Sequence, residues 1–427
     1  MKDLLMIVPF FPPHGGGGVY RALSFVRYLE KYGWRATVIS PRADSYWVSD
    51  ESLLDDVPSS CRVYRTRTLS GQFLLRFLQR GLKGHGSQTR SSRRFGLLRT
   101  LGSFVLVPDT YVGWYPFAVR VGRRLLGRGR FDAIFSTSPP ETSHLIAHEL
   151  HRSSAIPWVA DFRDPWTHLY VLQTPTLIHS RIHERLERKV CTNASVVVTN
   201  RSHKDLLQKK YPEMKSIQII SNGYDHMKFE AYSQVEPPSE ICRIFHAGML
   251  TERRSAVAFL QGVRLFLNRQ PEAARRLRVL FVGPREDEND LNVRRLQLDE
   301  VVEFRDTVPH AESLRLAHSS HILLLIALPH QMPGKFFEYL GARRPVLALV
   351  SEGEVSDLVL GLKRGEVTSM TDPVGIADKI RGLYGKYVTG TLEKDYDLSV
   401  VREFQRETLT AKLAEYLDSL HSGGRTS

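Results

Sequence analysis

Apolar residues recur along this chain in short continuous runs, most of them followed by a stretch with helical spacing. In the first half the runs fall at residues 4–8, 36–40, 131–136, 157–161, 195–199 and 217–220; in the second at 243–248, 278–283, 301–304, 321–327 and 345–350. Runs of this length bounded by turn signals suit strands buried on both faces. Their alternation with helices implies parallel sheets covered by helices on each side. The helical stretches include residues 19–32, closed by Gly33, residues 256–268 and residues 312–318. Residues 226–240, with Pro237 and Pro238, interrupt the series and read as a linker, and residues 399–420 read as a long amphipathic helix. There is no short-period repeat. The pattern predicts an α/β chain of two doubly wound domains, residues 1–230 and 241–398, with the helix at 399–420 packing back on the first.

Length agrees with that division, because 427 residues exceed what one hydrophobic core usually supports. The three cysteines, Cys61, Cys191 and Cys242, are scattered without metal-ligand spacing, which points to a reducing compartment and no disulfide frame. No apolar run approaches the roughly 18 residues of a membrane helix, and the opening apolar stretch is soon broken by Pro9, unlike a signal peptide. A cytoplasmic protein, peripheral to a membrane at most, is the expectation.

Charge changes the picture locally. The formal net charge is +13, and residues 62–130 alone hold 15 Arg or Lys against one acid, Asp109, enough to account for all of it. This stretch reads as a basic insert. Within it Phe73, Leu74, Leu75, Phe77, Leu78 and Leu82 interleave with Arg76, Arg80 and Lys83 at helical spacing, the pattern of an amphipathic helix on an anionic bilayer. A core-facing helix with a solvated basic face would give the same pattern. Nucleic acid is not the expected partner, because no helix-turn-helix, zinc or RNA-recognition pattern accompanies the charge.

The candidate chemistry lies where apolar runs give way to turns. After the run at 321–327 come the turn Met332-Pro333-Gly334, Lys335 near a helix start and Glu338 about one turn in. Helix N-terminal amides and a lysine suit phosphates, and a carboxylate one turn deeper suits ribose hydroxyls. After the first run, Gly15 to Gly18 let a backbone approach a ligand without Cβ atoms in the way, although they do not make a dinucleotide fingerprint. Ser138-Pro-Pro-Glu141 reads as a capping box opening a helix that carries His144. Asp161-Phe-Arg-Asp-Pro-Trp166 ends a strand, where open α/β sheets bind ligands, although an internal Arg–Asp pair shaping the loop would give the same sequence. Asp161 and Asp164 are not read as metal ligands, because Arg163 between them competes with a cation.

Taken in order, Phe11-Pro-Pro-His-Gly-Gly16, Pro108-Asp109 with Gly113-Trp114, Asp161-Phe-Arg-Asp-Pro-Trp166, Ser221-Asn-Gly-Tyr-Asp225, His246-Ala-Gly248 with its arginines, and Pro333-Gly-Lys-Phe-Phe-Glu-Tyr339 resemble a family-four GT-B glycosyltransferase over nearly the whole chain. The resemblance implies two Rossmann-like domains with parallel sheets facing across a cleft. It also implies transfer of a sugar, with retention, from a nucleoside diphosphate sugar and without a metal or other cofactor. Gly16, Gly17 and Gly18 look like the loop that approaches the donor phosphate and reacting sugar. Arg254, with Arg253 as the near alternative, looks like the cation on the diphosphate, and Glu338 like the ribose carboxylate. Met332 and Gly334 belong to the same donor turn.

The chain departs from the family at two places. His330 stands where a glutamate commonly touches the transferred sugar, and Met249 stands where a basic residue often follows the glycine, a loss for which Lys335 could compensate. Both bear on which sugar is accepted. Asp161, Asp164, Arg163 and His144 are the acceptor-side candidates, and the acceptor expected is a lipid-linked or other saccharide used in surface polysaccharide or glycoconjugate synthesis. Other readings are a nucleotide-sugar epimerase of the same fold and a catalytically silent binding protein at a membrane surface. A dinucleotide dehydrogenase lacks its fingerprint.

Overall fold

The computed structural model describes residues 1–42, 49–69, 106–168, 174–328 and 331–423. The chain divides into two compact units, one comprising Met1–Ser221 with the segment from Glu407 onward, the other Asn222–Arg406.

The first unit runs β1 (Lys2–Ile7), α1 (Tyr20–Tyr28), β2 (Trp34–Pro41), β3 (Arg62–Thr66), α2 (Tyr115–Leu126), β4 (Ala133–Ser138), α3 (Thr142–Ser154), β5 (Trp158–Phe162), α4 (Leu177–Asn193), β6 (Ser195–Val198), α5 (Arg201–Lys210) and β7 (Ser216–Ile219). Its seven parallel strands are ordered β3-β2-β1-β4-β5-β6-β7. The sheet is apolar on both faces, as continuous apolar runs require. Leu4 and Met6 pack with Phe25 of α1 on one face, and Leu5 and Ile7 pack with Trp114 and Ile146 on the other.

The second unit runs α6 (His226–Glu230), β8 (Cys242–Ala247), α7 (Val257–Arg269), β9 (Leu277–Val282), α8 (Asp287–Arg295), β10 (Val302–Arg305), α9 (His310–His318), β11 (Ile322–Ile326), α10 (Gly334–Ala342), β12 (Val346–Leu349), α11 (Glu354–Gly361), β13 (Gly365–Thr368) and α12 (Pro373–Thr389). Six parallel strands are ordered β10-β9-β8-β11-β12-β13. The final helix, α13 (Arg406–Gly423), packs Leu409, Leu413 and Leu417 against the α1 face of the first sheet.

Strand order reverses direction between β1 and β4 in one sheet and between β8 and β11 in the other. Crevices for ligands open at such switch points, beyond the carboxyl ends of the strands. The glycine loop follows β1, and the turn at 331–334 follows β11.

Several expectations need correction. Residues 62–66 are an edge strand and 115–126 a packed helix, so both ends of the supposed basic insert belong to the domain's framework. The candidate amphipathic helix at 73–83 lies outside the described residues. Ser138 ends β4 and α3 starts at Thr142, so Ser138 and Glu141 form no capping box. The cap comes from far along the chain: Asp109 accepts from the Thr142 amide at 2.8 Å and its hydroxyl at 2.9 Å. The last helix begins at Arg406 because Tyr224 takes the backbone groups before it, its amide donating to Phe404 and its carbonyl accepting from Arg406.

Candidate active site

In the first unit, the three glycines of the loop after β1 do different work. Gly16 has φ +90, a left-handed conformation that favours glycine. Among the described residues nothing lies within 4 Å of where a Cβ would stand at Gly16 or at Gly17, and Gly17, with no left-handed backbone, is open without that constraint. Gly18 is closed: a Cβ there would meet Arg163 Nη1 and Phe10 Cδ2, each at 2.9 Å. Arg163 holds the loop, donating to Gly18 O at 2.7 Å, to Ser138 O at 2.9 Å and to Pro139 O. Its guanidinium therefore ties the loop after β1 to the turn after β4, which is a framework role that its sequence position did not announce. Gly18→Ala is expected to cost about 1–3 kcal/mol of stability through overpacking, whereas Gly17→Ala should stay within about 0.5 kcal/mol. Urea unfolding of the two variants measures the difference.

Asp161 is fully buried and belongs to an ion pair with Arg21, with Nη2 at 2.7 Å and Nε at 3.1 Å, while the Thr137 hydroxyl donates to it at 2.8 Å. Arg21 also reaches Ile220 O at 2.8 Å and Ser221 O at 2.6 Å. An internal Arg–Asp pair was an open alternative; the arginine is Arg21 of α1, not Arg163. Asp161 thus locks α1, β5 and the end of β7 together and has no surface to offer an acceptor.

His144 is likewise interior. Ser136 Oγ accepts from the Trp158 indole at 2.8 Å and is also hydrogen-bonded to His144 Nδ1 at 2.8 Å. Burial pushes the imidazole down to about 3, with the Asp161 carboxylate opposing, so it stays neutral and out of reach of an acceptor. Asp164 is exposed at the crest of the sheet. Near it stands Glu141, pushed up to about 8 by burial and by the neighbouring Asp109 carboxylate. Glu141, which sequence spacing assigned to a cap, shares its raised titration with Asp109, whose carboxyl burial also pushes up.

In the second unit, α10 opens at Gly334 with Pro333 in extended conformation before it, leaving the first-turn amides to face the crevice without a side-chain cap. Glu338, 9% exposed, is gripped at both oxygens: Lys335 Nζ stands 2.7 Å from Oε2 and His310 Nε2 3.0 Å from Oε1. Burial would raise its pKa, but the Lys335 charge and the His310 contact outweigh it and hold the carboxyl well below the usual range. Lys335 is therefore first the partner of Glu338, and its side chain remains about one third exposed.

Arg254 is half-buried, and its Nη2 donates to Gln331 Oε1 at 2.9 Å; desolvation lowers its pKa. Its Nε has no partner among the described residues. Arg253 and Met249 are exposed. Beside this arginine, His246 Nδ1 donates to Leu324 O at 2.8 Å, which leaves Nε2 as a buried acceptor without a donor among the described residues. Burial first, and then the charges of Arg254 and Lys335, push His246 down to about 4. An unfilled donor and an unfilled acceptor thus lie next to an open helix N-terminus. Met332 is partly buried against the core, and among the described residues a Cβ at Gly334 would meet nothing within 4 Å. His330 lies outside the described residues.

His310, Gln331 and Arg21 carried no signal that spacing could reveal, and His246 was legible only as part of the His246-Ala-Gly248 motif. Each matters through a partner brought near by folding.

Residues 16–223 match the family described as Glycosyl transferase 4-like domain, and residues 243–386 match Glycosyl transferases group 1. No curated protein is significantly similar in sequence. Among solved structures, the Anabaena Alr3699/HepE protein in complex with UDP is 14% identical with a TM-score of 0.65, covering 98% of this chain and 100% of its own. Sucrose-phosphate synthase from Thermosynechococcus elongatus is 14% identical with a TM-score of 0.68, covering 99% and 100%. A putative UDP-N-acetylglucosamine 2-epimerase from Listeria monocytogenes is 9% identical with a TM-score of 0.59, covering 99% and 98%. These likenesses are of fold.

Proposed function

Since the chain belongs to the GT-B glycosyltransferases of the family-four-like kind, we propose that it transfers a sugar, with retention, from a nucleoside diphosphate sugar to a lipid-linked or saccharide acceptor in surface polysaccharide or glycoconjugate synthesis. The observation that carries the donor is the half-buried Arg254 with its unfilled Nε beside the open N-terminus of α10. A diphosphate supplies the oxygens these donors lack. Glu338 accepts from ribose hydroxyls, and its grip by Lys335 and His310 keeps it ionised for that purpose. HepE binds UDP and UDP-glucose, a precedent for this class of donor.

The main chemical task is to stabilise the departing nucleoside diphosphate, and Arg254, Lys335 and the α10 amides provide positive charge there without a metal. Asp161, an acceptor-side candidate by sequence, is occupied by Arg21, and retention without an obvious nucleophile goes with front-face attack in which the leaving phosphate takes the acceptor's proton. In the first unit, the amides around Gly17 suit developing negative charge. Asp164, exposed at the crest, and Glu141 near it are the acceptor-side groups. Among the described residues no helix is long and apolar enough to cross a membrane, and we place the enzyme in the cytoplasm at an anionic membrane surface, where a lipid-linked acceptor lies.

A thermal-shift series with nucleoside diphosphates tests the donor assignment. Ligand at 100 times its Kd should stabilise the native state by about 2.7 kcal/mol. Arg254→Ala should remove most of that shift and slow transfer about a hundredfold. No response to any nucleoside diphosphate would overturn the reading, and product analysis separates transfer from epimerisation.

A further inference from the structure

Helix α4 has one face in the core and another that is exposed. His183, Glu187, Val190 and Cys191 are buried, and Glu187 is consumed there by Lys210 Nζ at 2.8 Å, the Tyr211 hydroxyl at 2.8 Å and the Thr167 hydroxyl at 2.6 Å. On the other side, Leu177 is 80% and Ile178 68% exposed, with Ile182 also exposed. At 100° per residue, Leu177, Ile178, Arg181, Ile182, Arg185, Arg188 and Lys189 fall within one arc of roughly 140°. The three apolar side chains cluster at the N-terminal end of that arc, and the four cations run along it behind them, all exposed. Glu184 lies at its margin, and Arg188 is paired with Glu213 at 3.0 Å, so Arg181, Arg185 and Lys189 are the cations the stripe presents.

Single exposed apolar residues are ordinary, but an apolar tip continued by a cationic stripe on one helical face is the pattern of an interfacial helix. We infer that this face of α4 docks the protein on an anionic phospholipid bilayer, the apolar tip entering the headgroup boundary and the stripe resting on lipid phosphates. Charge complementarity selects that occupant. A second copy docked through the same face would set like cations against each other, whereas each cation near an anionic surface strengthens binding several-fold. The inference rests on the membrane-surface part of the proposed function and gives it a place on the described structure. It does not depend on the donor assignment, which the thermal-shift series tests separately.

The experiment is co-sedimentation of the full chain with vesicles of phosphatidylcholine alone and of phosphatidylcholine mixed with phosphatidylglycerol. It compares wild type, Leu177→Asn/Ile178→Asn and Arg181→Glu/Arg185→Glu, with sizing chromatography and Tm measured on each. The expected result is binding of wild type to the mixed vesicles and not to phosphatidylcholine. Loss of at least about tenfold in partitioning is expected for both double variants, with Tm and transfer to a water-soluble acceptor unchanged. Variants that bind like wild type would overturn the docking face while leaving membrane association to another part of the chain. Failure of wild type to bind would remove both the face and the membrane reading. A wild-type dimer that becomes monomeric when the tip is changed would reassign the face to an interface between copies.

Discussion

Glu338→Ala is expected to slow sugar transfer about a hundredfold or more in a chain that still folds. The carboxylate is a buried polar group of the α10 site, and its removal takes away the acceptor for the ribose hydroxyls together with the group that Lys335 and His310 converge on. Stability should fall little, because the Lys335 ammonium is exposed enough to turn to water and a partly exposed pair contributes about 1 kcal/mol or less. Glu338→Gln separates shape from charge: it keeps an oxygen for His310 and loses the attraction to Lys335. Steady-state kinetics on folded protein, with circular dichroism as the control, measures both variants. Wild-type turnover by Glu338→Ala would remove Glu338 from the donor site.

The pH dependence of the same group has a definite sign. Its folded pKa is depressed below the ordinary 4.5, so the native state favours the ionised form. That contribution is complete above the unfolded value and is lost as pH falls below it toward the folded pKa. Glu338 therefore makes no demand on stability between neutrality and pH of about 5, and contributes to unfolding only in stronger acid.

Asp161→Ala should act in the opposite way, destroying the fold and not the chemistry. It strands the Arg21 guanidinium inside the first unit, and breaking a buried pair from one side costs about 3–5 kcal/mol. That is a large part of the stability of an ordinary domain. Asp161→Asn, which can still accept from Arg21 and Thr137, should lose less. Urea unfolding reads the loss, and activity per folded molecule should remain close to wild type. A well-folded Asp161→Ala protein without transfer activity would return Asp161 to the acceptor side.

These two acids show where a sequence informs and where it misleads. Both stand in motifs that look alike in kind, a carboxylate next to a cation at the end of an apolar run. Glu338 has Lys335 three residues away on the same helix, a pairing that helical geometry makes predictable. Asp161 has Arg163 two residues away on an extended segment, and that neighbour is not its partner; Arg21, 140 residues earlier, is. Some of what was missed was readable. Asp372-Pro373 opens α12 with a cap whose carboxylate accepts from the Val374 and Gly375 amides, a signal of residue type and spacing that was available in the chain.

The periodic features, parallel strands alternating with helices, the turn into α10 and Glu338 one turn inside it, depend on residues within a few positions of each other. Their geometry repeats with the backbone, so their pattern is visible before folding. The same locality made Gly16 to Gly18 recognisable as a loop, but only packing gave them separate tasks, with Gly17 open and Gly18 closed by Arg163 and Phe10. Capping of α3 by Asp109, the second grip on Glu338 by His310 and the Trp158 indole on Ser136 all join residues on different elements. Such contacts follow no period. They exist because strand order within each unit brings particular side chains together, where low polarity and fixed geometry determine which charges pair and which donors remain for a ligand.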